Sequence, residues 1–587
     1  MPKHIISMKH KLLSLSAFIA MLTLFCSSCS KVPSSASLIP KDASTIVRID
    51  VKQIAEKADD GDEEWKKQLK EEIKKADMSR KATDLLLAIV DKPKKLGLDL
   101  RDPVFVYMRP LAQPGFTYQE DTPGDVEFAD STGDYQDSDT REPDTLTDEG
   151  EEAMGNPLAD IVNNDDEGDM EYGVVMTMYD IDDFNEVIDA LKKEMELQPR
   201  HEADMHYLFM DAAIMAYDDD HLLILGRNPG ESEAQLKARA HRQLKQDKDE
   251  SIADNDFFRT MCKSDGDVQV LWLGQSVATN PVYASLMAMM MPAECKLADI
   301  ASLTDFDMKK GETLITSQLL TDSKAWDKQI EAWLETSAPI NGDFSQYVDD
   351  DDDVVMACNL NGEKMVELIE SMPMAKMFPR EVKKDLFAML GSMQGDGMIG
   401  MSLNAKTLEP EHLHSYSKVK DSSVLQLIID NIFEGEAQHK GTNHYRISAD
   451  STEIDLGWKE GVLYLSMGNE QPFAKAKKPF DSKTTEDKKL YFRLNFNLFE
   501  KLRAHPSANM EGSDLIIFHL LSKFESMEMY AEDKPTFYIR IISKDKEKTL
   551  LGIVTHFFTH LGEEVVNMFS TIPPADDFMN DSTALNE

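Results

Sequence analysis

Cysteine is scarce: the chain has five in 587 residues, and Cys26 and Cys29 lie within the first thirty. That leaves Cys262, Cys295 and Cys358, an odd number at wide spacing. A disulfide framework is excluded by that count. The three read as small buried thiols, with a Cys262–Cys295 bridge as the alternative. Base is scarce too, with 63 Lys and Arg against 107 Asp and Glu and a formal net charge of −44. Such a balance argues against a nucleic-acid partner and against an anionic membrane surface, since phosphate binding needs basic patches. The chain has no Gly-x-Ser-x-Gly elbow and no Walker loop, so two common catalytic signatures are missing. The apolar run at 12–25 is 14 residues long. A spanning helix needs about 20.

What that run does fit is an export signal. Met8, Lys9, His10 and Lys11 form a basic start, the apolar run follows, and Ser27 and Ser28 stand before Cys29. This order reads as a signal peptide over 1–28 with lipidation at Cys29. Cys26 occupies the place where such sites usually carry leucine. Residues 29–37 are small, polar and contain Pro33, and read as a lipid tether. The signal takes three lysines and no acid with it, so the mature charge is about −47. The implied address is a membrane outside the cytoplasm.

Charge is concentrated in one stretch. Residues 120–171 hold 20 Asp and Glu and a single base, Arg141. So few apolar residues cannot offset chain entropy by burial, which predicts a disordered segment.

The rest of the chain states one pattern twice. Strand-like Ile46-Val47-Arg48-Ile49 leads into a helical pattern, as does Val355-Met356-Ala357-Cys358. The short apolar runs 103–109 and 398–403 come next. Strand 173–179 with helix 184–193 resembles strand 413–418 with helix 424–432. His206-Tyr207 parallels His444-Tyr445. Paired strands 212–217 and 222–226 parallel 453–458 and 462–468, and 268–273 parallels 490–496. Last, Gly311-Glu312-Thr313-Leu314 parallels Glu547-Lys548-Thr549-Leu550, each expected to open a long strand before a helix, at 326–334 and 561–568. Matching order is the mark of an internal duplication. The acidic stretch then falls in a hairpin of the first copy, as an insertion at about 115–170. Tight turns at Asp218-Asp219-Asp220 and Lys459-Glu460-Gly461 require antiparallel neighbours. The predicted class is α+β: two tandem, similar domains at 38–340 and 345–571, each an antiparallel sheet with helices on one face, and a disordered tail at 572–587.

Several motifs carry no chemistry on inspection. Gly395-x-Gly397-x-x-Gly400 has dinucleotide-binding spacing, but a helix precedes it and a strand follows, the reverse of what a pyrophosphate site needs. His201 and His206 are five apart, one residue too many for a zinc-peptidase helix, and read as loop and strand-edge histidines. The aspartate run 349–353 lacks calcium-loop spacing and reads as a solvated linker. Met287, Met289, Met290 and Met291 near Cys295 read as core, ahead of a partner groove or a copper site.

The entry Leu38-Ile39-Pro40-Lys41-Asp42-Ala43 with Val47-Arg48-Ile49-Asp50, and Leu96-Gly97-Leu98-Asp99-Leu100 with Pro103-Val104-Phe105-Val106-Tyr107-Met108, resembles a family. It is similar to the uncharacterised Bacteroidota lipoproteins grouped as domain of unknown function 4836. The resemblance implies an exported lipoprotein and supplies no activity and no catalytic residue. It also implies two finer features. Ser30-Lys31-Val32-Pro33 lacks the acids that accompany surface exposure in that group, which favours an outer-membrane site facing the periplasm. Its O-glycosylation tripeptide is matched at Ser131 and Thr145, inside the acidic segment.

The expected function is a lipid-anchored, non-enzymatic binding or scaffolding protein of the cell envelope. It would be held to the membrane through Cys29 and would engage an envelope protein or small ligand. No catalytic residue, cofactor or metal is named. The alternatives are an envelope hydrolase with an unrecognised site and a cation binder built on the acidic loop.

Overall fold

The computed structural model describes residues 32–59, 64–75, 78–111, 170–192, 198–202, 204–210, 212–275, 287, 289–404, 409–433, 436–449, 452–468, 471–504 and 512–559. Among them, twenty strands form one antiparallel sheet, and thirteen α-helices pack around it. The class is α+β.

The first ten strands are β1 (Thr45–Ile49), β2 (Val104–Pro110), β3 (Met170–Thr177), β4 (Arg200–Glu202), β5 (Met205–Met210), β6 (Ala213–Tyr217), β7 (His221–Gly226), β8 (Val268–Leu273), β9 (Ile300–Lys309) and β10 (Glu312–Thr321). Their order across the sheet is β4-β5-β6-β7-β3-β2-β1-β8-β9-β10. The second ten are β11 (Val354–Asn361), β12 (Met393–Leu403), β13 (Pro410–Val419), β14 (Ala437–Gly441), β15 (His444–Ala449), β16 (Thr452–Lys459), β17 (Val462–Met467), β18 (Leu490–Asn495), β19 (Phe524–Ala531) and β20 (Thr536–Ser543). Their order is β14-β15-β16-β17-β13-β12-β11-β18-β19-β20. Adding ten to each label turns the first order into the second. The duplicated pattern in the sequence is a duplicated topology.

The two copies do not keep separate sheets. β10 pairs antiparallel with β20, from Glu312 opposite Ile542 to Gln318 opposite Thr536. Equivalent strands paired antiparallel are related by a local two-fold axis. Each copy also receives a helix from the other. α7 (Lys324–Leu334) follows β10 and packs on α8 (Gly362–Ser371) of the second copy. α13 (Leu550–Thr559) follows β20 and packs on α1 (Val51–Asp59) and α2 (Glu64–Lys75) of the first. Hydrogen bonds fix both exchanges. Thr549 donates its hydroxyl to the Lys57 carbonyl at 2.8 Å, and the Asn361 N–H donates to the Thr336 carbonyl at 2.8 Å. Among the described strands, β4 and β14 alone remain as outer edges. Both are short, and their middle residues, such as His201 and Lys440, are exposed, which discourages further pairing.

The first copy is covered on both faces, where the sequence predicts helices on one. Successive strand residues point to opposite faces. Leu223 and Leu225 enter a core with Phe105, Ile214 and Leu271, while Leu222 and Tyr217 enter another with Leu208 and Phe184. The second core lies under α1, α2, α3 (Arg80–Asp91) and α4 (Ile181–Leu191). The first lies under α5 (Glu233–Leu244) and α6 (Asp256–Met261). α5 has a readable start: Ser232 and Gln235 form a capping box. Leu236, Ala240 and Leu244, four residues apart, are its buried stripe.

The second copy carries α8, α9 (Arg380–Ser392) and α10 (Ser423–Ile432) on its helical face. Leu425 and Ile429 of α10 meet Ile447 and Leu456. No α-helix joins β17 to β18 among the described residues there. Instead Phe344, Val348 and Phe480 close over Tyr416, Tyr464 and Tyr491.

Three expectations fail in detail. Residues 547–550 do not open a strand: Thr549 caps α13 by accepting the Gly552 N–H, and β20 lies earlier. Leu550–Thr559 is rich in apolar and β-branched residues, which reads as strand, but it is a helix buried against the other copy. The expected helix at 561–568 lies outside the described residues. His206-Tyr207 and His444-Tyr445 are out of step by one residue. Tyr207 stands opposite Ala216 and His444 opposite Gly457, so Tyr207 answers to His444. One residue of slip exchanges the faces of a strand. Finally, the fold begins inside the segment read as tether. Ser34–Leu38 is a 3-10 turn whose Ala36 and Leu38 are buried in the first core.

Candidate functional site

The strongest polar constellation lies at the mouth of the β2–β3 hairpin. Arg109 pairs with Glu171 across the strands, and Pro110 with Met170. Residues 111–169 therefore connect two strands of one hairpin. In the second copy, Leu403 opposite Pro410 closes the matching hairpin over only 404–409. The sequence places Glu171 as the last acid of the acidic stretch. The structure makes it part of β3 with its side chain fully buried. Arg109 grips it with Nε and Nη2, both at 2.9 Å, and Arg239 of α5 reaches it at 2.6 Å. The Tyr107 hydroxyl donates to Glu171 at 3.3 Å and accepts from Gln243 at 2.6 Å. Burial and the Glu171 charge push the Tyr107 phenol far up, so it stays a donor. The Tyr107 ring fits because the residue opposite is Gly173, where a Cβ would stand 2.3 Å from it.

The register shows what the second copy did with the same place. Tyr107 answers to Gly400, Arg109 to Ser402, and Glu171 to His412. Gly400 leaves room for Asp352, whose Oδ2 would lie 2.4 Å from a Cβ there. Asp352 accepts the Ser402 hydroxyl at 2.7 Å and the Asp349 N–H at 3.2 Å. Asp353 is fully buried, accepting the Leu403 N–H and the Lys501 ammonium at 2.9 and 2.8 Å. Asp350 meets Arg493 at 2.8 Å and Lys478 at 3.1 Å. The run 349–353 is therefore not a solvated linker. Its members tie the start of β11 to the end of β12, to Lys478, to Arg493 of β18 and to Lys501. Burial pushes Asp352 up. It also acts on Asp350, but there Arg493 and Lys478 outweigh it and hold the carboxyl low.

A third cluster lies where α1 meets the sheet. Lys57 bridges Asp267 at 2.7 Å and Asp307 at 3.1 Å, and the Met308 N–H donates to Asp267 at 2.7 Å. Burial pushes the Asp267 carboxyl up against the pull of Lys57. Each of these three clusters holds strands and helices together.

The motifs singled out in the sequence fall into place. All three glycines of the dinucleotide-like motif lie within β12, and Gly395, at φ 107°, marks a bulge. His201 and His206 face each other across β4 and β5 with ring centroids 4.3 Å apart, and His206 stacks on Tyr217 at 5.1 Å. No described group of three His, Cys, Asp or Glu converges on a metal position. Burial and the neighbouring His201 hold the His206 imidazole below its ordinary value. A depressed histidine favours the fold above pH 6.5, and that contribution is lost as pH falls through the lowered value. An NMR titration should place His206 below 6.5, and His201→Ala should move it upward. Cys262, Cys295 and Cys358 form no disulfide, and burial raises all three thiols, Cys262 to about 11. None is a thiolate at neutral pH, as a cysteine nucleophile must be. Met287 and Met291 pack with Trp326 and Cys295, while Met289 and Met290 are partly exposed.

A recess of about 190 Å³ is lined by Pro93, Lys94, Leu98, Leu100, Arg101 and Tyr179. Lys94 and Arg101 lie over the Tyr179 ring, and Arg101 grips Asp99 with two hydrogen bonds at 2.8 and 2.7 Å. Ligand pockets usually start near 300 Å³, so this one suits a side chain better than a metabolite.

Cys29, Ser131 and Thr145, the residues assigned to lipidation and glycosylation, lie outside the described residues. No described helix is long and apolar enough to cross a membrane. Comparison with curated proteins and with solved structures gives no match. A family model does match, over residues 36–117 and 160–547. The interruption, 118–159, falls between β2 and β3 where the sequence predicts an insertion, and the matched parts span both copies of the fold. The chain belongs to the family described as a domain of unknown function, DUF4836.

Proposed function

We propose that this chain is a non-enzymatic binding or scaffolding protein of the cell envelope, lipid-anchored through Cys29 and facing the periplasm from the outer membrane. The observation that carries the reading is the continuous sheet, with each copy completed by a helix of the other. This construction gives a long platform that resists hinging between its halves. An enzyme built on two domains would gain from a cleft that opens and closes. A platform gains from the opposite. The buried charges described above serve to brace this platform, and the two copies present different side chains at equivalent places, so they suit different partners or two parts of one.

The test is mild crosslinking of the native protein in its own membranes, followed by capture and mass spectrometry. The expected result is a reproducible envelope partner whose crosslinks map to one face of the sheet, and a diacylated peptide beginning at Cys29. Crosslinks scattered over both faces with no recurrent partner would contradict the binding reading. An unmodified Cys29 would contradict the anchor.

A further inference from the structure

The turn between α8 and α9 sets exposed bases beside exposed apolar side chains. Residues 370–385 hold four bases, Lys376, Arg380, Lys383 and Lys384, and three acids, Glu370, Glu381 and Asp385, a small positive balance in a chain of net charge −44. Pro373 opens a 3-10 turn (Pro373–Lys376) and Pro379 stands before α9, so two prolines limit how far this backbone can rearrange. Within the turn Met377 is 68 % exposed and Val382 at the start of α9 is 54 % exposed. Lys376, Arg380 and Lys384 are exposed and form no ion pair among the described residues. Lys383 lies 5.0 Å over the Phe387 ring with its ammonium 3.5 Å from Glu370.

Apolar side chains left in water beside unpaired bases match what an anionic bilayer offers: an apolar layer beneath a plane of phosphates. A protein partner of this chemistry would be expected to find a groove, whereas the exposed residues here belong to one turn. We propose that the α8–α9 turn is a membrane-contact site, with Met377 and Val382 entering the interfacial layer and Lys376, Arg380 and Lys384 at anionic headgroups. The acids elsewhere do not forbid this. At physiological salt the screening length is about 8 Å, so charges farther than that from the headgroups hardly repel them. The overall charge then selects orientation, since this turn binds and the acidic surfaces do not. The inference does not depend on a lipid at Cys29.

The experiment uses the chain from Ser30 onward. It keeps every described residue and omits the apolar run at 12–25, which would itself enter a bilayer. The chain is sedimented with vesicles of phosphatidylcholine alone or with one quarter phosphatidylglycerol. The expected result is binding to the anionic vesicles that weakens in high salt. Met377→Asp should reduce it about tenfold, and Lys376→Gln or Lys384→Gln about fivefold each. These side chains are exposed, so melting should not change. Equal binding to both vesicle types, or full binding by Met377→Asp, would overturn the proposal. So would Met377→Asp abolishing a dimer in solution while the wild-type chain ignores vesicles, because a second copy would then be the occupant.

Discussion

Glu171→Gln is expected to destabilise the protein by about 3–5 kcal/mol, the range for breaking a buried ion pair from one side. The glutamine keeps the shape and removes the charge. Arg109 and Arg239 then face each other across a neutral group, and Arg239, largely buried, cannot turn to water. Arg239 would keep Glu231, which it holds at 2.9 and 2.7 Å, so the loss falls on the Glu171 side. Denaturant unfolding of the variant measures the effect. A companion variant separates the explanations. Replacing Glu171, Arg109 and Arg239 by leucine together with Glu231→Gln, which spares Arg239's other partner from being left as an unpaired charge, should recover most of the loss, because desolvation offsets much of the attraction in such a cluster. A single Glu171→Gln costing under about 1 kcal/mol would mean that the cluster is open to water.

Ile539→Pro should have the second large effect. Ile539 lies in β20, between β10 and β19, opposite Ile315. Its N–H belongs to a ladder whichever way it points. Proline removes that donor and crowds the neighbouring strand, at a cost of about 3 kcal/mol or more. The same substitution at the exposed edge, His439→Pro in β14, should cost far less, since β14 is paired on one side only. The seam variant is also expected to split a single calorimetric transition into two, as the copies lose their shared strand pair. One transition at an unchanged temperature would contradict the seam.

The topology was largely legible in the sequence because strands repeat in kind and order. Alternation at 46–49 and 355–358, and the acidic and glycine turns at 218–220 and 459–461, are local signals, and the structure keeps them. Glu460 and Gly461 take φ values of 52° and 83°, as the mirror-image hairpin turn requires. What was not legible depends on contacts between distant residues. Nothing in 312–321 or 536–543 marks these strands as partners, because pairing is specified by shape and register across more than 200 residues. Likewise Leu550–Thr559 has a strand's composition, and only its burial against α1 makes it a helix. The clusters were hidden for a different reason. Glu171 and Asp353 each end a run of acids, and composition cannot tell the acid that enters the core from those that stay in water. The usable signal was the base at the matching end of the hairpin, Arg109, and the glycines that make room, Gly173 and Gly400. α5 is announced locally by Ser232-x-x-Gln235, its capping box.

Divergence between the copies bears on function. The frame is kept strand for strand, while the hairpin mouth changed from an Arg–Glu–Arg clamp to an aspartate–serine contact, and α5 and α6 have no described counterpart. A duplication that served symmetry alone would have no reason to cover one face with helices in one copy and with aromatic segments in the other. Two unlike faces on one continuous sheet accord with the proposed binding role, in which the copies need not meet the same partner.

Hydrogen exchange read by mass spectrometry tests the central claim most directly. If the copies share one sheet, peptides covering β10 and β20 should be protected as strongly as those covering β1 and β2, and far more than those covering β4 and β14. Exchange of β10 and β20 at the rate of β4 and β14 would show two free edges where one continuous sheet is expected, and the platform reading would fall with it.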